Sequence, residues 1–341
     1  MSVSIGILGG GNISLTHARA ALEIDGIRVT AVQGQNAENA SKIAELAGGS
    51  FYQDLNSFLE HRPMEIVLIG SPSGLHAEHG IAAARHGFHV LVEKPIDITT
   101  AKADALIEAC RAEDVKLGVF FQDRTAPDMV RLKELISSSV LGRPLLISAS
   151  VRWYRPPDYY RKSRWRGTWA LDGGGALMNQ GIHTIDLLLW LFGEISSVSG
   201  KAITALHSID VEDTAVASFE FANGALGNFE ATTCAYPGFS RRIEMSFSNG
   251  TIVLEDDRIR SADTMSPIPG LFASESASGS ERHATAVVSR TDGHRKVIEN
   301  FIEAISSGRV PLCDGPDARK SVAVVSAIYE SSRSGLRVQP V

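Results

Sequence analysis

The chain has 341 residues, of which 44% are hydrophobic and 21% charged, and its formal net charge at pH 7 is −6. That length exceeds one ordinary core, so two domains are expected, and the acidity excludes a general affinity for nucleic acid or anionic membrane. No apolar run approaches the roughly 20 residues of a spanning helix, and the chain does not open on a basic segment followed by an apolar stretch and a cleavage site, so a cytoplasmic location is expected. Cys110, Cys234 and Cys313 are far apart, odd in number and outside any metal-ligand spacing, which reads as reduced thiols. The pairs His76/His79 and His86/His89 lack an adjacent carboxylate cluster, and no metal site is expected.

Residues 3–8 form an apolar strand that runs into Gly9-Gly10-Gly11-Asn12-Ile13-Ser14, followed by a helical pattern over 13–22 and a second strand over 28–33. The spacing is Gly9-x-Gly11-x-x-Ser14, with a small serine in the third glycine's place. Such a turn lets backbone N–H groups approach a dinucleotide pyrophosphate, while the helix N-terminus adds partial positive charge. Alone it also fits an ordinary strand-to-helix connection; the flanking βαβ pattern supplies the context the motif needs.

Strand and helix then alternate: strand 64–70, helix 76–86, strand 89–92, helix 100–112 and strand 116–121. Apolar strands in regular alternation with helices predict a parallel sheet covered on both faces, ending near Gln122. At the end of one strand stands Glu93-Lys94-Pro95, at the sheet edge where open α/β proteins bind ligands. The competing reading is a Lys-Pro turn solvated by Glu93.

A helix is predicted over 126–138 and a strand over 144–153. Residues 215–221, 226–233, 242–248 and 251–255 then alternate apolar and polar, with Asn223-Gly224 and Asn249-Gly250 as hairpin turns. This predicts an antiparallel sheet with one covered face, the covering helices including 176–192 and 295–306. The Ser-, Ala- and Gly-rich stretch 261–282 reads as a mobile loop.

Two constellations in this half carry chemistry. On a helix turning about 100° per residue, Asn179, His183 and Asp186 fall within an arc of about 60°. Burying such polar groups without partners costs about 1–3 kcal/mol each. A core histidine bonded to Asp186 and a catalytic histidine are both compatible with the pattern. Residues 152–169 hold three of the four tryptophans, three of the six tyrosines and six cations. Aromatic faces stack on sugar C–H faces and arginine forks bind carboxylate or phosphate, although such a loop also serves as an oligomer contact.

Taken together, Gly9 to Ser14, Ser71-Pro72-Ser73-Gly74-Leu75-His76, Glu93-Lys94-Pro95, the segment from Trp165-Arg166-Gly167 to Asp186, and the ending from His294 to Leu336 resemble the glucose–fructose oxidoreductase / inositol dehydrogenase / MocA family over essentially the whole chain. The resemblance implies an α/β fold: an N-terminal Rossmann doubly wound parallel sheet in 1–122, and a C-terminal α+β substrate-binding and oligomerisation domain in 123–341 with a large open, mostly antiparallel sheet. It implies NAD or NADP as cofactor and hydride transfer with a secondary alcohol of a sugar, sugar derivative or cyclic polyol.

The family's catalytic lysine falls on Lys94 and its histidine on His183; one of them takes the hydroxyl proton while the other steadies the oxyanion, and Asp186, on the helix face of His183, is expected as a third catalytic residue. Cofactor contacts are implied for Gly9, Gly11, Asn12, Ile13, Ser71, Pro72, Ser73, His76, Glu93, Lys94 and Gln122, and substrate contacts for Lys94, Trp165, Arg166, Asn179 and His183. Position 179, often aspartate in the family, is an amide here and cannot accept a proton. After the second strand the chain reads Gln33-Gly34-Gln35-Asn36, with neither the acid that holds a ribose in NAD enzymes nor an arginine for a 2′-phosphate. A homodimer or homotetramer without nucleic-acid or membrane partners is expected. The alternatives are an NAD-dependent glycoside hydrolase of the same fold and a dinucleotide-sensing regulator; the joint presence of Lys94 and His183 favours the enzyme.

Overall fold

A computed structural model describes residues 2–268 and 291–341. The chain divides into two compact units, residues 1–122 with 287–319, and residues 123–286 with 320–341.

In the first unit, β1 (Val3–Leu8), β2 (Ile27–Gln33), β3 (Ser50–Tyr52), β4 (Ile66–Ile69), β5 (His89–Glu93) and β6 (Leu117–Phe120) form one parallel sheet in the order β3-β2-β1-β4-β5-β6. The helices are α1 (Asn12–Leu22), α2 (Ala37–Ala47), α3 (Leu55–Leu59), α4 (His76–Arg85) and α5 (Thr100–Ala112). Strand order reverses between β1 and β4, and that switch point is where a doubly wound sheet opens a ligand crevice. β4 is buried along its whole length, as a strand covered on both faces must be.

The alternation read from sequence leaves out α2, β3 and α3. α2 has both of its end signals, since the Asn36 side chain accepts from the Asn39 N–H and Gly48 closes the helix at φ 71°. β3 is three residues long, too short for period-two alternation to register.

The second unit contains α6 (Pro127–Ser137), β7 (Pro144–Arg152), α7 (Pro157–Arg161), α8 (Ile182–Phe192), β8 (Ile195–Ile203), β9 (Thr214–Phe221), β10 (Leu226–Thr232), β11 (Arg242–Phe247), β12 (Gly250–Glu255) and β13 (Arg258–Thr264). Its seven-stranded sheet runs β13-β12-β11-β7-β10-β9-β8. All neighbours are antiparallel except β7 and β10, which pair in parallel. The turns at Asn223-Gly224 and Asn249-Gly250 join β9 to β10 and β11 to β12, as their sequence signature requires. β10 alternates buried Gly227, Phe229 and Ala231 with outward Leu226 and Asn228, so one sheet face is packed and the other open.

The structure corrects three expectations. Residues 176–192 are not one α-helix: Ala176–Gly181 forms a π-helical turn before α8 begins. Residues 261–264, expected as the beginning of a mobile loop over 261–282, are the second half of β13, which pairs with β12; residues 269–282 of that stretch lie outside the described residues. The helix expected over 295–306 does not cover the second sheet. It is α9 (Asp292–Ser307), in the first unit, where Val297, Ile298 and Phe301 join the core of Ile5, Ile7, Leu91 and Phe120. An amphipathic stripe shows that a helix needs an apolar partner without saying which sheet provides it. Gly118 on β6 accommodates this packing, because a Cβ there would stand 2.7 Å from the Phe301 ring. α10 (Gly315–Ser334) begins in the first unit and continues in the second, where the Ser331 hydroxyl accepts from the Gly200 N–H on β8 at 3.0 Å.

Candidate active site

In the first unit the glycine turn follows β1. Gly9 sits at φ 135°, and a Cβ there would lie 2.6 Å from both the Gly70 carbonyl and the Ser14 hydroxyl, so this turn permits no side chain. Ser14 is buried in the third glycine's place. Gly11 differs: a Cβ added there meets nothing within 4 Å. No side chain caps α1 and no acid stands in its first turn, so the N–H groups of Asn12 and Ile13 belong to a helix start that suits an anion. An open glycine beside an uncapped helix terminus fits a dinucleotide pyrophosphate.

The end of β2 bears on the ribose. Gln33 is buried and donates from Nε2 to the Gln53 carbonyl at 2.9 Å, while a Cβ at Gly34 would stand 2.8 Å from Ala40. Asn36 is occupied in capping α2. Gln35 is therefore the exposed residue of this turn whose side chain is not committed to a described contact.

The loops after β4 and β5 are tied together by His76, whose ring lies between the carbonyl oxygens of Pro95 at 2.7 Å and Ser71 at 2.9 Å. Burial holds its pKa below the usual histidine value. Asp97 accepts from the Ala77 N–H in the first turn of α4 at 2.8 Å. Ser73 is buried, Ser71 and Pro72 half-buried.

Beneath Lys94 lies a buried ionic group. Glu93 accepts from His17 Nε2 at 2.8 Å and from the Lys94 backbone N–H at 3.2 Å, with His294 Nε2 3.5 Å away. Burial lowers the pKa of His17, leaving a neutral ring that donates. Burial alone would raise the Glu93 carboxyl, but the imidazoles hold it well below the ordinary range. Glu93 thus fixes the start of the Lys94 turn from inside the protein. The solvating role considered from sequence does not occur, since Glu93 is 6% exposed. Lys94 is half-buried at the carboxyl end of β5, and Gln122 follows β6, packed by Gly293.

In the second unit the helix carrying His183 starts from a constrained glycine run. Gly174 sits at φ 157°, where a Cβ would overlap the Tyr329 hydroxyl, and one at Gly175 would overlap the Glu212 carbonyl. The buried Glu212 carboxylate accepts from the N–H groups of Gly175 at 2.9 Å and Leu177 at 2.8 Å. Burial pushes its pKa up to about 7 against these favourable contacts.

The three polar residues of this helix meet three different partners. Asn179 donates to Asp172 Oδ1 at 2.6 Å. Asp186 accepts from Arg124 at 2.8 and 2.7 Å, both side chains being 1% exposed. His183 places Nδ1 3.6 Å from Asp123 Oδ2, and Asp123 in turn accepts from Arg241 at 2.6 Å. Asp186, which the sequence offers as one partner for His183, pairs with a guanidinium, and an acid beside the imidazole comes from the turn after β6. The π-helical turn changes the phase of residues 176–181 relative to α8, so an arc drawn at constant angular step no longer holds across it.

The aromatic, basic loop reaches the same helix. Arg155 donates to Gln180 Oε1 at 3.0 Å and stacks over Tyr159 and Trp153; Gln180 donates to the Tyr159 hydroxyl and to Asn179 Oδ1, each at 3.1 Å. Arg166 lies 4.3 Å over the Tyr159 ring and 4.9 Å over Trp165. Trp165, Arg166 and Asn179 thus belong to one connected patch. Sequence reasoning missed Asp123, Arg124, Asp172, Gln180 and Glu212; only Asp172, which opens the glycine run, carried a local signal.

Comparison with known proteins agrees with this architecture. Residues 3–121 match the oxidoreductase family model with NAD-binding Rossmann fold, and residues 129–253 match the GFO/IDH/MocA C-terminal domain. The chain belongs to the GFO/IDH/MocA family of NAD(P)-dependent oxidoreductases. It is 27% identical to myo-inositol 2-dehydrogenase of Thermotoga maritima, over 96% of this chain and 95% of that one. It is 28% identical to levoglucosan dehydrogenase of Pseudarthrobacter phenanthrenivorans, over 75% and 74%. The crystal structure of the WlbA dehydrogenase from Bordetella pertussis, in complex with NADH and UDP-GlcNAcA, superposes with a TM-score of 0.90 at 29% identity, covering 99% of this chain and 97% of that one.

Proposed function

We propose that the chain transfers hydride between NAD or NADP and a secondary alcohol of a sugar, a sugar derivative or a cyclic polyol. The observation that carries this reading is the presence in one chain of a dinucleotide-type turn, with Gly11 open and α1 uncapped, and of an imidazole, His183, beside the half-buried carboxylate of Asp123. The names of similar proteins support the substrate class: an inositol dehydrogenase, a levoglucosan dehydrogenase and a dehydrogenase solved with a nucleotide sugar.

Gly9, Gly11, Asn12 and Ile13 receive the pyrophosphate; Ser71, Pro72, Ser73, His76, Glu93 and Gln122 hold or support the rest of the dinucleotide. When bound, the nicotinamide supplies the hydride acceptor or donor. Lys94 and His183 handle the hydroxyl proton and the charge that develops on oxygen, with Lys94 donating to that oxygen. Asp186 acts through Arg124 to fix α8, while Trp165, Arg166 and Asn179 hold the sugar. Dinucleotide binding falls to residues 1–122, and substrate binding and subunit association to 123–341. Exposed Leu146, Val216 and Leu226 on the open sheet face support a homodimer or homotetramer. No helix among the described residues is long and apolar enough to cross a membrane, in keeping with a cytoplasmic enzyme.

The test is a panel of polyols, aldoses and sugar acids, each with NAD and NADP, following reduced nicotinamide by absorbance. Turnover with one of them supports the reading; dinucleotide binding without turnover on any would overturn it.

A further inference from the structure

We infer that Asp123 is the positioning residue for His183, holding the Nδ1 side of the ring so that Nε2 takes the substrate's hydroxyl proton. The inference deepens the oxidoreductase reading and rests on it. Asp123 Oδ2 lies 3.6 Å from His183 Nδ1, a contact that shortens to a hydrogen bond when the ring becomes charged. His183 Nδ1 is shielded from solvent, yet the side chain keeps 11% exposure, so the accessible edge of the ring is the one away from Asp123. An imidazole held this way presents Nε2 outward as the acceptor.

Among the described contacts, Asp123 is the charged group beside the ring, and it is surrounded by Arg124 on the same turn, Asp186 on α8, and Arg241 and Asp257 from the β11–β13 region, with Asp172 bonded to Asn179. Arg124 and Asp186 neutralise each other as a bidentate pair. Arg241 bridges two carboxylates, Asp123 and Asp257.

The step balances on these groups: the alcohol O–H proton passes to Nε2, the C–H hydride passes to the nicotinamide, and the carbonyl forms. Asp123 takes no proton; it stabilises the imidazolium and fixes the ring.

The test compares Asp123→Asn with Arg241→Met in the full chain, checking fold by thermal melting and dinucleotide affinity. Asp123→Asn is expected to lower kcat about 10- to 100-fold with little change in KM, and to move the acidic limb of the kcat/KM profile down by about one pH unit. Arg241→Met, which removes a guanidinium that donates to Asp123, is expected to move that limb up. A merely structural role predicts neither opposite shifts nor a separation of kcat from KM. Limbs unmoved, or moved in one direction by both variants, would overturn the inference. If the wild-type protein turns over no sugar, the oxidoreductase reading fails by itself. The histidine 15N signals, with His183 assigned by its loss in His183→Gln, then decide separately whether Asp123→Asn alters the ring's tautomer and titration. An unaltered ring overturns the positioning role, and an altered one supports it.

Discussion

Asn179 donates its amide to Asp172 across 2.6 Å, and the same aspartate accepts from the Gly167 N–H at 2.8 Å through its other oxygen. Asp172 is buried, so this amide does what a carboxylate at position 179 could not do at neutral pH. Asn179→Asp would set two carboxylates face to face, which disfavours ionising both. The substitution should lower stability by about 1–3 kcal/mol at pH 7 and regain part of it near pH 5, where one acid takes up a proton. Denaturant unfolding at the two pH values measures this, and a loss independent of pH would contradict it.

Arg124 and Asp186 form a bidentate pair with almost no solvent contact. Removing one partner leaves the other charged and buried, so Arg124→Met should cost about 3–5 kcal/mol. Replacing both, as Arg124→Met with Asp186→Leu, should recover most of the loss because the uncompensated charge disappears. A double variant no more stable than the single one would show that the pair's value lies elsewhere, for instance in the stacking of Arg124 on Trp190.

Glu212 makes stability depend on pH. Its carboxyl titrates near 4.5 in the unfolded chain and at about 7 when folded, chiefly because it is buried. The folded state then binds the proton more tightly, so this group's contribution is fully present below pH 4.5 and is lost as pH rises through about 7. The total is about 3 kcal/mol. Urea unfolding between pH 5 and 8 should show the decline, and Glu212→Gln should flatten it while starting from a less stable protein, since one amide oxygen cannot replace a carboxylate under two N–H groups.

Lys94→Ala should reduce turnover by several orders of magnitude. Dinucleotide binding, followed by NADH fluorescence, should persist, because the glycine turn stays intact and Glu93 is bonded to the Lys94 backbone N–H, which alanine keeps. Unchanged turnover would remove Lys94 from the proton chemistry.

Most of this fold is legible in sequence, because period-two and period-three-to-four patterns are local. The glycine turn, the alternation to Gln122 and both Asn-Gly hairpins are read from a few adjacent residues. What escapes is whatever depends on distant pairing. α9 carries an ordinary amphipathic stripe, and nothing in it names the sheet it joins. Asp186 sits three residues from His183 and invites a local pairing, yet Arg124 is 62 residues away in sequence and claims it. Asp123 has no motif of its own, and Glu212 looks like any acid before a strand until the glycine N–H groups are found against it.

The contact of Glu93 with His294 joins positions from opposite ends of the chain. The nucleotide-binding half is consequently not a module that can be cut out or transplanted at residue 122: a fragment ending there would lack the helix that shields Phe120 and one imidazole beside the carboxylate under Lys94. In gene fusions or recombination between relatives, residues 1–122 and the segment that carries α9 must be inherited together.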